Sequence, residues 1–249
     1  MIIDSHCHLH LLTCDISRVI SDAYNKGVSH MINVCLESED LPMLQSISAR
    51  YPNIFHSYGI HPTNDTSSLI EDDVIIKKCV AIGETGLDYH HKNDEKEKRR
   101  QAILFESQLA LAKKYNKSVI VHSRKAKDDT ISILKKYPDV RGVLHCFTED
   151  LHMAEQAYHM GWMISFSGIL TFKNSHLQEI AKKLPMECIM LETDSPYLSP
   201  SPIRGTFPNL PENILFIANF LAQLRNISLQ EVCEITKQNT IKCFQLLID

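Results

Sequence analysis

The sequence predicts an α/β protein folded as a single (β/α)₈ barrel, a domain spanning residues 1–249. Three observations carry this. Eight short β-branched or apolar runs alternate with amphipathic stretches along the chain. A length of 249 residues is usual for one such barrel. No low-complexity segment, long Gly/Ser linker or repeat of about 20–50 residues interrupts the order.

The strand candidates, in order, are residues 2–8, 30–35, 54–59, 79–84, 118–122, 142–145, 163–167 and 188–192, with 54–59 the weakest pattern. Helical patterns lie between them. The longest is residues 95–115, where Ile103, Leu104, Leu111 and Ala112 recur at helical spacing. Helical stretches at 212–224 and 229–247 complete an outer ring. Eight strands separated by helices fit a closed parallel barrel better than an open sheet.

Composition narrows the function. With 44% hydrophobic and 22% charged residues the chain reads as soluble and globular. Nothing approaches the roughly 18 apolar residues of a membrane span, and with acidic and histidine residues within the first eight positions we expect no hydrophobic leader. A net charge of -4 argues against nucleic-acid binding through bulk positive charge, while leaving room for a small, locally positive site. The 8 cysteines are scattered without a C-x-x-C pair, as expected of reduced thiols in a cytoplasmic protein. We expect a monomer with no obligate protein partner and no membrane association.

The chemistry begins at Asp4-Ser5-His6-Cys7-His8. On a strand, residues i and i+2 share a face, so His6 and His8 both point into the barrel mouth and Cys7 turns toward the helices. An isolated H-x-H is weak evidence, but other strands add to it. Strand four ends on Glu84, strand five on His122 and strand six on His145, and strand eight runs into Glu192-Thr193-Asp194. Barrel enzymes place catalytic groups at these strand ends, and an apolar barrel core does not explain such polar residues as packing. His6, His8, Glu84, His122, His145 and Asp194 are therefore the expected metal ligands.

Six candidates exceed the four or five that one zinc-like ion uses, which favours two divalent ions. Two dications about 3.5 Å apart repel by on the order of 20 kcal/mol at an effective dielectric near 20, so a carboxylate must sit between them. Glu84, in the middle strand of the set, is the bridging candidate. His6, His8 and Asp194 would complete one site, His122 and His145 the other. Such ions lower the pKa of water from about 15.7 toward roughly 7, supplying a nucleophile at neutral pH. Asp194 is placed to orient that water or take its proton. Glu192 is expected to hydrogen-bond a ligand histidine from behind. Histidine-rich ligation suits Zn²⁺, Mn²⁺ or Co²⁺; Mg²⁺ prefers more oxygen.

These residues resemble the TatD family of metal-dependent deoxyribonucleases. The resemblance is carried in order by Asp4-Ser5-His6-Cys7-His8, Gly59-Ile60-His61-Pro62, Gly83-Glu84-Thr85-Gly86-Leu87-Asp88-Tyr89 and His122-Ser123-Arg124. It continues through His145-Cys146-Phe147, Ser167-Gly168 with Thr171-Phe172-Lys173, Glu192-Thr193-Asp194-Ser195-Pro196-Tyr197-Leu198 and Arg204-Gly205. It implies a TIM barrel of the amidohydrolase type, the same six metal ligands, and phosphodiester hydrolysis of DNA ends or single-stranded DNA from the 3′ end. The chain departs from the family's pattern at 206–211, a segment one residue longer and without the basic residue, expected to border the substrate.

Around that centre, His61 is expected near the leaving group or scissile phosphate. Arg204, Arg124 and Lys173 follow strands eight, five and seven and are the candidate phosphate contacts, Arg204 foremost. Residues 96–100 read as a solvated helix face. Thiol catalysis by Cys7 or Cys146 is not expected, because strand alternation points both outward. A related metallohydrolase acting on a lactone, an amide or an aminoacyl-tRNA ester is the alternative enzyme, and an idle scaffold the alternative outside enzymes.

Overall fold

A computed structural model describes residues 1–64 and 72–248. Its eight strands are β1 (Ile2–Cys7), β2 (Val28–Asn33), β3 (Ile54–Tyr58), β4 (Ala81–Asp88), β5 (Ser118–Arg124), β6 (Gly142–Leu144), β7 (Met163–Phe166) and β8 (Ile189–Leu191). They pair in parallel in chain order, forming one eight-stranded sheet. At the mouth β1 meets the exit of β8. The Asp194 amide donates to His6 O at 3.0 Å and the His8 amide to Ser195 O at 2.7 Å. This is the expected barrel, nearly closed.

Both faces of the sheet are covered, by the helices outside and by the barrel's own side chains inside. Consecutive residues such as Val119, Ile120 and Val121 are therefore all buried, and the strands read as unbroken apolar runs. The helices begin and end where their caps allow. In the helix Glu95–Tyr115 the Asp94 side chain accepts from the Lys96 and Glu97 amides, and Asn116 closes the helix in the left-handed region. Leu104, Leu111 and Ala112 face the core as expected, whereas Ile103 is 64% exposed: it lies off the buried stripe. Arg100 is not a purely solvated charge either. It donates to Pro62 O at 2.5 Å and Asn64 O at 3.0 Å, tying its helix to the loop after β3. Of the last two helices, Ile214–Arg225 is shifted by one or two residues from its sequence pattern, and Leu229–Phe244 starts where expected and ends three residues earlier.

The main boundary correction concerns β4, which starts later than residue 79 and runs through Asp88 rather than stopping at Glu84. Gly86 makes this extension possible. It pairs with His122, has φ +134°, and a Cβ placed on it would lie 2.0 Å from His122 O. Glu84 and Asp88 flank this close approach on the same face of the strand. Gly86→Ala is expected to cost on the order of 2–5 kcal/mol through backbone strain and the contact with β5. A urea unfolding curve checks it; a wild-type midpoint would mean that β4 and β5 separate freely here.

No helix among the described residues is long and apolar enough to cross a membrane. All eight cysteines are free thiols.

Candidate metal centre

The polar residues at the strand ends converge. His6, on β1, and His8, one residue beyond its end, bring their Nε2 atoms to 3.1 Å. Asp194, whose backbone has turned to φ +56° just beyond β8, places Oδ1 3.6 Å from His6 Nε2 and 3.5 Å from His8 Nε2. Across the mouth, Glu84 Oε1 lies 2.9 Å from His145 Nε2, 3.0 Å from His122 Nδ1 and 3.3 Å from His61 Nε2. Its other oxygen, Oε2, faces His6 Nε2 at 3.4 Å and His8 Nε2 at 3.8 Å. One buried carboxylate thus offers one oxygen to each of two donor sets. His6, His8 and Asp194 form a group of ligand geometry, and His61, Glu84 and His122 form another.

The outer nitrogens of His8, His145 and His122 are held. His8 Nδ1 donates to Val34 O at 2.9 Å and His145 Nδ1 donates to Glu192 Oε1 at 3.2 Å, so each keeps Nε2 for the centre. Glu192 also accepts from the Cys146 amide at 2.8 Å, in the backing position expected of it. Asp88 does the same for His122: its Oδ2 lies 3.1 Å from Nε2, leaving Nδ1 toward Glu84. Asp88 further holds His91 Nδ1 at 2.9 Å. Sequence reasoning missed Asp88 as a site residue because it ended β4 at Glu84. A strand carried four residues further places Asp88 on the face of Glu84. His61 differs from the other rings. Its Nδ1 accepts from the Thr63 amide at 3.2 Å, and an amide can only donate. Nε2 therefore bears the proton, and His61 presents an N–H to the centre. Among the buried side-chain atoms without a hydrogen-bond partner, His6 Nδ1 and Glu192 Oε2 belong to this centre.

Charge at the centre is set by competition. Burial would raise the Glu84 carboxyl, but His145, His61 and His122 outweigh it and hold Glu84 well below the usual carboxylate range. Asp194 is likewise lowered, by His8 and His6 against burial. Burial alone would push His145 down; Glu84 and Glu192 reverse this and hold it well above the usual imidazole value. His8 and His122 are raised as well, against burial, by Asp194 and by Asp88 and Glu84 respectively. For His6 and His61 burial prevails, and both are lowered.

The centre floors a cavity of about 650 Å³. Of the three cations expected to contact phosphate, Arg124 lines it and Arg204 and Lys173 do not. Arg204 instead lies over the Phe172 ring, 4.0 Å from its centroid. The order of residues after a strand does not say which way a loop turns. The 206–211 segment also stays outside the lining. It braces the β8 exit through Asn209, whose side chain donates to Thr193 O at 3.0 Å and Tyr197 O at 2.7 Å. Cys7 turns away from the mouth as expected, donating to Ile32 O. Cys146 does not: β6 ends at Leu144, Cys146 has φ +41°, and it lines the cavity with Sγ 3.2 Å from Ser167 Oγ. Burial, with Asp194 and Glu192 nearby, pushes its thiol up, so it stays protonated and a poor nucleophile.

A parallel eight-stranded barrel with clustered imidazole and carboxylate donors at the C-terminal ends of its strands defines a metal-dependent hydrolase. The chain belongs to the TatD family, since the TatD-related DNase model matches residues 3–245. It is 41% identical to an uncharacterized metal-dependent hydrolase of Buchnera aphidicola subsp. Baizongia pistaciae, over 98% of this chain and 96% of that one. It is 30% identical to human deoxyribonuclease TATDN3, over 99% and 95% of the two chains. Among solved structures it resembles YJJV, a TatD homologue of Escherichia coli K12, with a TM-score of 0.87 and 29% identity, covering 99% of this chain and 98% of that one.

Proposed function

We propose that the protein is a two-metal phosphodiesterase that hydrolyses DNA from its ends, in the 3′ to 5′ direction, in the cytoplasm. The observation that carries the two-metal reading is the Glu84 carboxylate, with Oε2 toward His6 and His8 and Oε1 toward His122 and His145. The family model, the name of human TATDN3 and Arg124 in the cavity lining support DNA as substrate.

The donor set fits such ions. Ring nitrogens held for ligation and two carboxylates of lowered pKa are the chemistry that binds Zn²⁺, Mn²⁺ or Co²⁺, with Mg²⁺ the poorer match. When bound, divalent ions activate water and neutralise phosphate charge. The protein's own residues do the rest. Asp194, on the cavity wall, orients the attacking water and accepts its proton as the new O–P bond forms. His61, neutral and with Nε2–H toward the centre, donates a hydrogen bond to the oxygen that leaves phosphorus. Arg124 holds a neighbouring phosphate.

Glu84 and Glu192 hold His145 well above the usual imidazole value, which favours its protonated form in the metal-free protein, and ligation requires it neutral. Metal binding at pH 7 is therefore expected to release protons, and affinity to fall as pH drops. Calorimetry in two buffers of different ionisation heat measures the release, and identical heats would contradict it.

Substrate class is tested by salt. Each phosphate neutralised on a single strand contributes about -0.7 to the slope of log K against log salt, so two or three contacts give roughly -1.4 to -2.1. Arg124→Ala is expected to flatten the slope by about 0.7, and Arg204→Ala to leave it alone. Binding of a short oligonucleotide across a salt series decides it. A flat wild-type line would sink the DNA reading and favour an uncharged ester or amide.

A further inference from the structure

We infer that the mouth seats the base of the terminal nucleotide on Tyr197, with the sugar–phosphate chain turned toward Arg124 on the opposite wall. The inference rests on the DNA reading above and specifies how such a substrate lies. The cavity is large enough for a nucleotide, and its two sides differ in chemistry. The loops after β2, β7 and β8 give it Leu36, Ile169, Tyr197 and Leu198, an apolar wall. Across the barrel, the end of β5 gives it Ser123 and Arg124. A ligand filling this space needs one apolar, flat portion and one anionic portion on opposite sides of the reacting group. A nucleotide has that shape.

Tyr197 is 46% exposed, yet its backbone is fixed. Its amide donates to Asp194 O at 2.8 Å, and its carbonyl accepts from Asn209 Nδ2 at 2.7 Å. The next residue, Leu198, has φ +57°, and its carbonyl packs where a Cβ on Gly168 would lie 2.0 Å away. A large ring is thus held at the rim, half in water, with its centroid 6.4 Å from that of His8. Core packing does not require it there. Every base has a π-face, so stacking on this ring would be tolerant of sequence but would demand a base.

The test compares an oligothymidylate with an oligomer of equal length whose terminal nucleotide is abasic, using metal-loaded protein. Wild type should show a KM about 10-fold lower for the base-bearing oligomer, since stacking on one aromatic side chain is worth about that much or more. Tyr197→Ala should bring the two KM values within about twofold, with the loss in KM rather than kcat, and Tyr197→Trp should restore the difference. Tyr197→Leu, which keeps an apolar side chain at the rim, should lose it as well, and serves if the alanine variant fails to fold. Equal wild-type KM values for the two oligomers would overturn the inference while leaving DNA cleavage standing. Cleavage of neither oligomer would overturn both.

Discussion

Glu84→Gln is expected to leave the barrel folded while at least one metal position loses its ion, with activity falling by at least about 100-fold. The carboxylate is buried, with one oxygen toward each donor set. Two dications about 3.5 Å apart repel by on the order of 20 kcal/mol at an effective dielectric near 20, and a neutral amide offers no charge against this. Glutamine has almost the same shape, so packing around β4 is kept and the effect isolates charge. Metal counting on the purified variant, beside its thermal unfolding, measures it. Unchanged stoichiometry with full activity would remove Glu84 from the bridging position.

Asp194→Asn should abolish turnover while barely changing substrate affinity. Asp194 faces the cavity beside His6 and His8, and its lowered pKa makes it a carboxylate at neutral pH. A group that accepts the proton of the attacking water acts mainly in the transition state, where such transfer is worth about 10²–10⁴-fold. Hence kcat and kcat/KM should fall together. An effect confined to KM would make Asp194 a binding residue.

Much of the fold and the centre of the site were legible in the chain because they follow from strand geometry. The spacing of His6 and His8, carried one residue past the end of β1, places them together, and apolar runs closed by His122, His145 and Glu84 mark one end of the barrel. What strand geometry does not govern was not legible. Asp88 escaped because the strand was ended at Glu84, whereas the glycines at 83 and 86 let β4 pass close to β5 and continue. Cys146 reached the cavity because β6 ends two residues earlier and the chain turns through positive φ, where alternation no longer applies. Arg204 lies beyond β8 in a loop whose course depends on packing with Phe172 and on the Asn209 anchor, both set by tertiary contacts. The proton on His61 depends on the Thr63 amide, a contact of the folded loop.

The arrangement of metals around Glu84 is the claim on which the rest depends. Anomalous diffraction from crystals of the manganese-loaded protein tests it most directly. Two peaks are expected about 3.5–4 Å apart, one beside His6, His8 and Asp194 and one beside His122 and His145, with the Glu84 carboxylate between them. A single peak, or peaks that do not share Glu84, would contradict the two-metal centre.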